Sequence, residues 1–153
     1  MKEIKKPELE QLKQYLKNIE NETIRDLDPF FDFKIFELDL PILPAAIIGQ
    51  AFPESKPEKA QILERSRNEF SDGIINFFSQ LEFTNREKQL EIAIEFLESI
   101  GSCVEIGQSK IWEYLPDESI FDELYDFISL GFTYLIADEK HNQYLIIHGG
   151  YCD

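Results

Sequence analysis

Residues 132–148 read FTYLIADEKHNQYLIIH, two apolar runs on either side of a short polar segment. The runs are rich in β-branched and aromatic residues, which favour strands, and the polar residues 138–142 have the composition of a turn. We therefore predict a hairpin in which Phe132–Ala137 pairs with Gln143–His148. Both arms are apolar on both faces, so we expect the hairpin near the centre of a sheet. Gly149-Gly150 is expected to end its second strand.

Four other segments have the spacing of apolar residues that is typical of amphipathic helices. The predicted helices span Pro7–Glu20, Ala60–Leu81, Thr84–Ile100 and Asp117–Leu130. A capping-box pattern at Ser55–Glu58 precedes the second helix, and another at Thr84–Glu87 opens the third. Because only Glu82 and Phe83 separate these two helices, we expect them to form an antiparallel pair.

The third predicted helix also has a defined inward face and a defined end. Its apolar stripe consists of Leu90, Ala93, Ile94, Leu97 and Ile100. Gly101 follows the stripe and is expected to stop the helix in a left-handed conformation.

Two further segments have strand patterns. Phe33–Leu40 alternates between apolar and polar residues, and Cys103–Tyr114 predicts a hairpin that turns at Gly107-Gln108. In that register Glu105 lies opposite Lys110, a favourable cross-strand pair. The predicted fold is a single α+β domain with about four helices, including the antiparallel pair, packed on a mainly antiparallel sheet with two hairpins.

The composition excludes several classes of function. The chain has 153 residues, 43% of them hydrophobic, and a formal net charge of −15. Binding to nucleic acid or to an anionic membrane requires clustered Lys and Arg, so neither is expected. No apolar run approaches the length of a membrane span, and no secretory signal is visible. Two cysteines far apart make no disulfide framework, so we expect a cytosolic protein.

The negative charge is concentrated in one region. Residues 111–139 contain no Lys or Arg and eight carboxylates, which are Glu113, Asp117, Glu118, Asp122, Glu123, Asp126, Asp138 and Glu139. On the fourth predicted helix, Glu118, Asp122 and Asp126 are spaced by four residues and form one exposed ridge, with Glu123 beside it. Such a ridge is either a solvated face or a surface that attracts a positively charged partner.

Catalytic and metal-binding patterns are weak in this sequence. Asp26, Asp28 and Asp32 lack the glycine of a calcium loop. A zinc site at His141 and His148 would have to take its third and fourth ligands from Cys152 and Asp153 at a chain terminus. A Cys103–His148 nucleophile pair has no activating neighbour. We therefore expect no metal, no cofactor and no enzymatic activity.

Aromatic residues near the acidic block complete the predicted partner surface. Trp112, Tyr114 and Tyr151 are residue types that are enriched in binding interfaces, although each could equally belong to the core. The predicted partner-binding residues are Glu113, Asp117, Glu118, Asp122, Glu123 and Asp126, together with Trp112 and Tyr114.

In size, acidity, aromatic content and lack of catalytic motifs, the chain resembles the immunity proteins that protect bacteria from toxins. The block from Glu113 to Glu139 stands where an inhibitory surface would lie. The resemblance implies a cytosolic inhibitor that binds a basic protein partner, such as a nuclease toxin. The alternative is a small metabolic or regulatory domain whose acidity serves only solubility. The oligomeric state is left open by both interpretations.

Overall fold

The computed structural model describes residues 1–23, 28–83, 85, 87–122, 124–126 and 128–152, with the side chains of all of these but Glu20 and Asp28. Four α-helices lie in this part of the chain: α1 Pro7–Ile19, α2 Pro44–Ala51, α3 Arg67–Gln80 and α4 Lys88–Cys103. The strands are β1 Lys2–Ile4, β2 Asp28–Glu37, β3 Gln61–Arg65, β4 Lys110–Leu115, β5 Leu130–Asp138 and β6 Gln143–Cys152. The predicted α+β fold is confirmed.

The six strands form one antiparallel sheet in the order β1-β2-β6-β5-β4-β3. The predicted hairpin is confirmed as β5 and β6, and it lies at the centre of the sheet. Its turn is a short 3-10 segment, Glu139–His141, that ends at Asn142 with a left-handed φ of 55°. Asparagine tolerates that conformation better than most residues do.

Strand β6 continues through the two glycines that were expected to end it. A Cβ atom at Gly149 would lie 2.7 Å from the ring of Phe132 and 2.8 Å from the ring of Phe31. The glycine therefore leaves room for two aromatic side chains on the neighbouring strands, and it interrupts no hydrogen bonding in the sheet.

Helices α1, α3 and α4 cover one face of the sheet, which we call the helical face. Phenylalanine rings fill much of the core there: the centroids of Phe77 and Phe132 are 4.9 Å apart, and those of Phe33 and Phe96 are 5.6 Å apart. Both pairs meet edge to face, the arrangement that the ring quadrupole favours. Helices α3 and α4 are the predicted antiparallel pair.

Helix α2 and described residues of the segment 116–129 cover the opposite face of the sheet. The core on this side contains Ile47 and Ile48 from α2 and Leu124 from the segment, packed on Leu135 and Ile146 of the central strands. Helix α2 was not predicted from the sequence. It begins at Pro44, a residue whose fixed φ suits the first turn of a helix.

The second predicted helix begins later than expected. Residues 61–65 form β3, which pairs with β4, and α3 starts only after Ser66. The Ser66 hydroxyl oxygen accepts a hydrogen bond from the Glu69 amide at 3.1 Å, and the Glu69 carboxylate accepts one from the Ser66 amide at 2.9 Å. This capping box replaces the predicted one, because the Ser55 hydroxyl donates to the Phe52 carbonyl oxygen instead.

Helix α4 is rotated relative to its predicted orientation. Ile92, Ala93, Phe96 and Ile100 face the core, whereas Leu90 and Ile94 are 55% and 45% exposed. The predicted stop at Gly101 is wrong because the helix continues to Cys103, with no glycine at positive φ. Thr84, the predicted first cap, lies outside the described residues.

Two further predicted elements are wrong. The hairpin at Cys103–Tyr114 is absent because Cys103 is helical and residues 106–108 form a 3-10 turn, so Glu105 does not pair with Lys110 across a ladder. The helix at Asp117–Leu130 is absent because its described residues form turns up to the start of β5. Among the described residues, no helix is long and apolar enough to cross a lipid bilayer.

Candidate functional site

The segment 116–129 borders a cavity of about 600 Å³, which we call the acidic groove. Its walls combine apolar side chains with carboxylates, and of the described residues that line it none is Lys or Arg. They are Leu115, Pro116, Asp117, Glu118, Ile120, Phe121, Asp122, Tyr125, Asp126, Ile128, Ser129, Leu130 and Gly131.

Local hydrogen bonds explain why the described residues of this segment are not helical. The Asp117 carboxylate accepts bonds from the Ser119 amide at 2.9 Å and from the Ser119 hydroxyl at 2.7 Å. The Asp122 carboxylate likewise accepts a bond from the Leu124 amide at 3.0 Å. Aspartates that bond the backbone two residues ahead stabilise turns in competition with helix.

Asp122 anchors the segment to the sheet. Its side chain accepts a short hydrogen bond from the hydroxyl of Tyr114 on β4, and the Lys56 amide lies 3.2 Å from that hydroxyl oxygen and 3.4 Å from the carboxylate. Tyr114 is fully buried and Asp122 is 5% exposed. Burial, and then the Asp122 carboxylate, raise the pKa of Tyr114 and keep it a donor.

His148 lies beneath the groove in a chain of hydroxyl groups. Tyr125 Oη is 2.8 Å from Thr133 Oγ1, which is 2.8 Å from His148 Nδ1; that nitrogen is also 3.1 Å from the Phe132 carbonyl oxygen. Burial lowers the pKa of His148, and the Phe132 carbonyl oxygen and the Asp32 carboxylate oppose that effect only in part. The imidazole is therefore held neutral near pH 7.

The predicted partner surface is divided by the sheet. Asp117 and Glu118 are exposed at the groove, and Asp126 is half-buried there. Hydrogen bonds from Ser119 keep the pKa of Asp117 below its usual range, so it stays ionised. Glu113 lies on the helical face, where it pairs with Arg65 Nε at 2.9 Å. Glu123 lies outside the described residues.

The predicted interface aromatics are mostly core residues. Tyr114 is buried, Trp112 is half-buried against the core opposite the helical face, and Tyr151 is half-buried on the helical face. The aromatic residue that the sequence analysis missed is Phe121, which is 54% exposed at the groove. It falls within the predicted helix Asp117–Leu130, which does not form, and no sequence signal indicated its exposure.

The predicted pairings of cysteine and histidine are not formed. Cys103 lies in the core of the helical face and His148 on the other side of the sheet, and burial raises the pKa of the Cys103 thiol to about 11. His148 and Cys152 are four residues apart on extended β6, roughly 13 Å along the strand, too far to share one metal ion. Asp26 and Asp153 lie outside the described residues.

A different group of potential metal ligands lies near the β5–β6 turn. Glu105, Asp138 and His141 each place one ligand atom within 4.8 Å of the others, at the end of the sheet where α4 finishes. The sequence predicted Glu105 in a hairpin that is not formed, away from Asp138 and His141. A prediction that α4 ends at Cys103 would have placed Glu105 in the connection after the helix, near this turn.

Neither a family model nor a curated protein sequence matches the chain. Two crystal structures of citrus MAF1 superimpose on it with a TM-score of 0.67 at 9% sequence identity. The first match covers 92% of this chain and 98% of that one, and the second covers 95% and 99%. At this identity the likeness shows the fold alone. The chain is thus similar in fold, along nearly its whole length, to citrus MAF1.

Proposed function

We propose that this protein binds a basic protein partner through the acidic groove and inhibits it, as an immunity protein inhibits its toxin. The observation that carries the proposal is the groove itself, where the carboxylates of Asp117, Glu118 and Asp126 lie beside exposed apolar surface and none of the described lining residues is a lysine or arginine. A lysine or arginine side chain of a partner matches that combination of charge and apolar surface.

The carboxylates and the aromatic ring at the groove favour arginine over lysine as the side chain of the partner. A guanidinium group can pair with a carboxylate through two parallel hydrogen bonds while its flat face stacks on an aromatic ring. Phe121 offers such a ring at the groove, and the Lys56 ammonium already lies 5.9 Å from its centroid. An arginine that replaces this weak cation–π contact would place its charge next to the groove carboxylates.

The charge of the whole chain supports fast association. A net charge of −15 attracts a basic partner over long distances, and the attraction raises the association rate more than it raises the affinity of the docked complex. The finer proposal is a cytosolic inhibitor, without a cofactor, of a toxin such as a nuclease. This finer proposal assigns a specific role to a protein that resembles the immunity proteins in composition.

The test begins with identification of the partner by pull-down with tagged protein and mass spectrometry. The groove is then neutralised in the variant Asp117→Asn/Glu118→Gln/Asp126→Asn, and association rates are measured by stopped flow. We expect the on-rate to fall at least about tenfold in low salt, and the difference to shrink as added salt shortens the Debye length.

A matched control removes three exposed carboxylates from α4 instead, as Glu91→Gln/Glu95→Gln/Glu98→Gln. This control changes the net charge equally and leaves the groove intact, so it should retain the affinity of the parent. Equal loss in both variants would mean that only the net charge matters. Parent-like binding by the groove variant would contradict the proposal.

The second candidate function is a small metabolic or regulatory domain. One observation favours it: a cavity of about 600 Å³ lies within the size range of small-molecule sites. A domain of this kind would bind a small organic cation in the groove in the absence of any protein partner. Calorimetry with arginine amide and spermidine as probes separates the two functions, because the inhibitor is expected to bind neither tightly.

A further inference from the structure

We propose that Glu105, Asp138 and His141 form a binding site for a divalent transition-metal ion, with Zn²⁺ as the ion that fits best. The site joins the residues after α4 to the β5–β6 turn. It lies apart from the acidic groove and shares no lining residue with it. The inference is therefore independent of the proposed function.

The distances between the ligand atoms fit a small ion. His141 Nδ1 is 2.8 Å from Asp138 Oδ2 and 3.8 Å from Glu105 Oε2. Tetrahedral Zn²⁺ with bonds of about 2.0–2.2 Å separates its ligand atoms by roughly 3.4 Å. These two distances lie on either side of that value, and the ligand oxygens of Glu105 and Asp138 lie within 4.8 Å of each other, so small side-chain movements would seat the ion.

The backbone holds the central ligand in place before any ion binds. The Asp138 side chain is 3% exposed, and its carboxylate accepts hydrogen bonds from the Glu105 amide at 3.4 Å and from the His141 amide at 3.3 Å. These bonds orient the carboxylate from both segments of the site, as outer-shell donors do in known metal centres. Only Glu105 and His141 need to adjust.

Access and space for a water ligand are also present. The side chains of His141 and Glu105 are 49% and 43% exposed, and a cavity of about 390 Å³ adjoins the three residues. A fourth ligand from solvent completes a tetrahedral shell. One imidazole with two carboxylates favours Zn²⁺ or Co²⁺, whereas Mg²⁺ and Ca²⁺ prefer shells made only of oxygen.

Two features oppose metal binding. The Lys6 ammonium lines the same cavity, where it donates to the Cys103 carbonyl oxygen and, at 2.7 Å, to Gln143 Oε1. Without a metal, the His141 ring also makes an ordinary hydrogen bond to Asp138 through Nδ1. Zn²⁺ at Nδ1 takes the place of that hydrogen, and the neutral ring then carries its proton on Nε2.

The experiment titrates Zn²⁺ into metal-free protein by calorimetry, with Mg²⁺ as the comparison ion. We expect one Zn²⁺ per chain with a dissociation constant below about 100 μM, and no detectable Mg²⁺ binding at that concentration. Co²⁺ in place of Zn²⁺ should give the visible absorption bands of a tetrahedral nitrogen–oxygen site. Saturating Zn²⁺ should raise the melting temperature of the parent.

The variant His141→Ala should weaken Zn²⁺ affinity by at least about tenfold and abolish the melting-temperature increase. The control Glu139→Gln removes an exposed carboxylate from the same turn that is not a ligand, and it should bind Zn²⁺ like the parent. Circular dichroism confirms that both variants are folded. Absent binding in the parent, or parent-like affinity in His141→Ala, would overturn the site.

Discussion

Gly73 lies inside α3 at the point where the hydroxyl group of Tyr134 packs against the helix backbone. A Cβ atom there would overlap the hydroxyl oxygen. We expect Gly73→Ala to lower the free energy of unfolding by about 1–3 kcal/mol, because the overlap outweighs the better helix propensity of alanine. Urea unfolding followed by circular dichroism measures the change.

Gly101 provides the matched comparison in α4. Its Cβ would meet nothing closer than the Ile106 side chain at 4.0 Å, and no glycine of the chain is at positive φ. Gly101→Ala should therefore raise the free energy of unfolding by about 0.5–1 kcal/mol. A decrease instead would mean that Gly101 ends the helix in a left-handed conformation, as the sequence alone predicted.

Substitution of Asp122 tests directly whether this carboxylate is a buried anchor or part of the exposed ridge that the sequence predicted. Asp122→Ala removes the acceptor of the Tyr114 hydroxyl and of the Leu124 amide, so we expect a loss of about 1–3 kcal/mol of stability. Glu118→Ala, an exposed neighbour, should change stability by less than about 0.5 kcal/mol. If both substitutions have small and equal effects on stability, the result would support the exposed ridge that the sequence predicted.

Individual side chains were thus the hardest feature to predict from the sequence. The charges of Asp117, Glu118 and Asp122 could be read directly, but their exposure depended on whether the segment was helical. The sequence does not distinguish an aspartate that accepts a hydrogen bond from the backbone two residues ahead from an aspartate that is exposed on a helix. The candidate metal ligands were missed for the same reason, because Glu105 was assigned to the wrong element.

At the scale of elements, α4 presents two apolar stripes, and only one of them faces the core. We expect Phe96→Ala to cost about 3–5 kcal/mol of stability because it empties a fully buried position. Leu90→Ala and Ile94→Ala should each cost less than about 1 kcal/mol, since both side chains are largely exposed. Thermal unfolding ranks the three variants by their loss of stability. A larger loss in Leu90→Ala and Ile94→Ala than in Phe96→Ala would support the orientation of α4 that the sequence predicted.

The elements that the sequence predicted well have local causes. The β5–β6 hairpin was recognised because both strands and their turn are contiguous in the chain, and α1 because its stripe of leucines is unambiguous. Residues 61–65 became a strand through pairing with β4, some fifty residues away, and apolar periodicity does not encode such a partner. The short helix α2 carries too few residues for a periodic pattern.

At the scale of the whole molecule, His148 links the stability of the fold to pH. It is buried where β2, β5, β6 and the segment 116–129 meet, and its pKa is lowered in the folded state. Below about pH 6.5 the unfolded chain takes up a proton that the folded chain resists, so stability falls as the pH falls. The contribution reaches at most about 1.4 kcal/mol per pH unit.

The measurement compares the slope of unfolding free energy against pH between about pH 7.5 and 5.5, above the range in which most carboxylates titrate. His148→Gln should flatten that slope, whatever its effect on absolute stability. The control His141→Gln changes the other histidine, which is exposed. A slope that is unchanged in His148→Gln would show that the pH dependence arises elsewhere.

The pairing of β2 with β6 has a consequence for how the protein is made. β2 bonds along ten residues with a strand that lies more than a hundred positions later in the chain. Until residues 143–152 have left the ribosome, the three-residue β1 is the only described strand with which β2 can pair. We expect this sheet to close only once residues 143–152 have left the ribosome, and an arrested nascent chain that ends before residue 143 to remain sensitive to protease throughout.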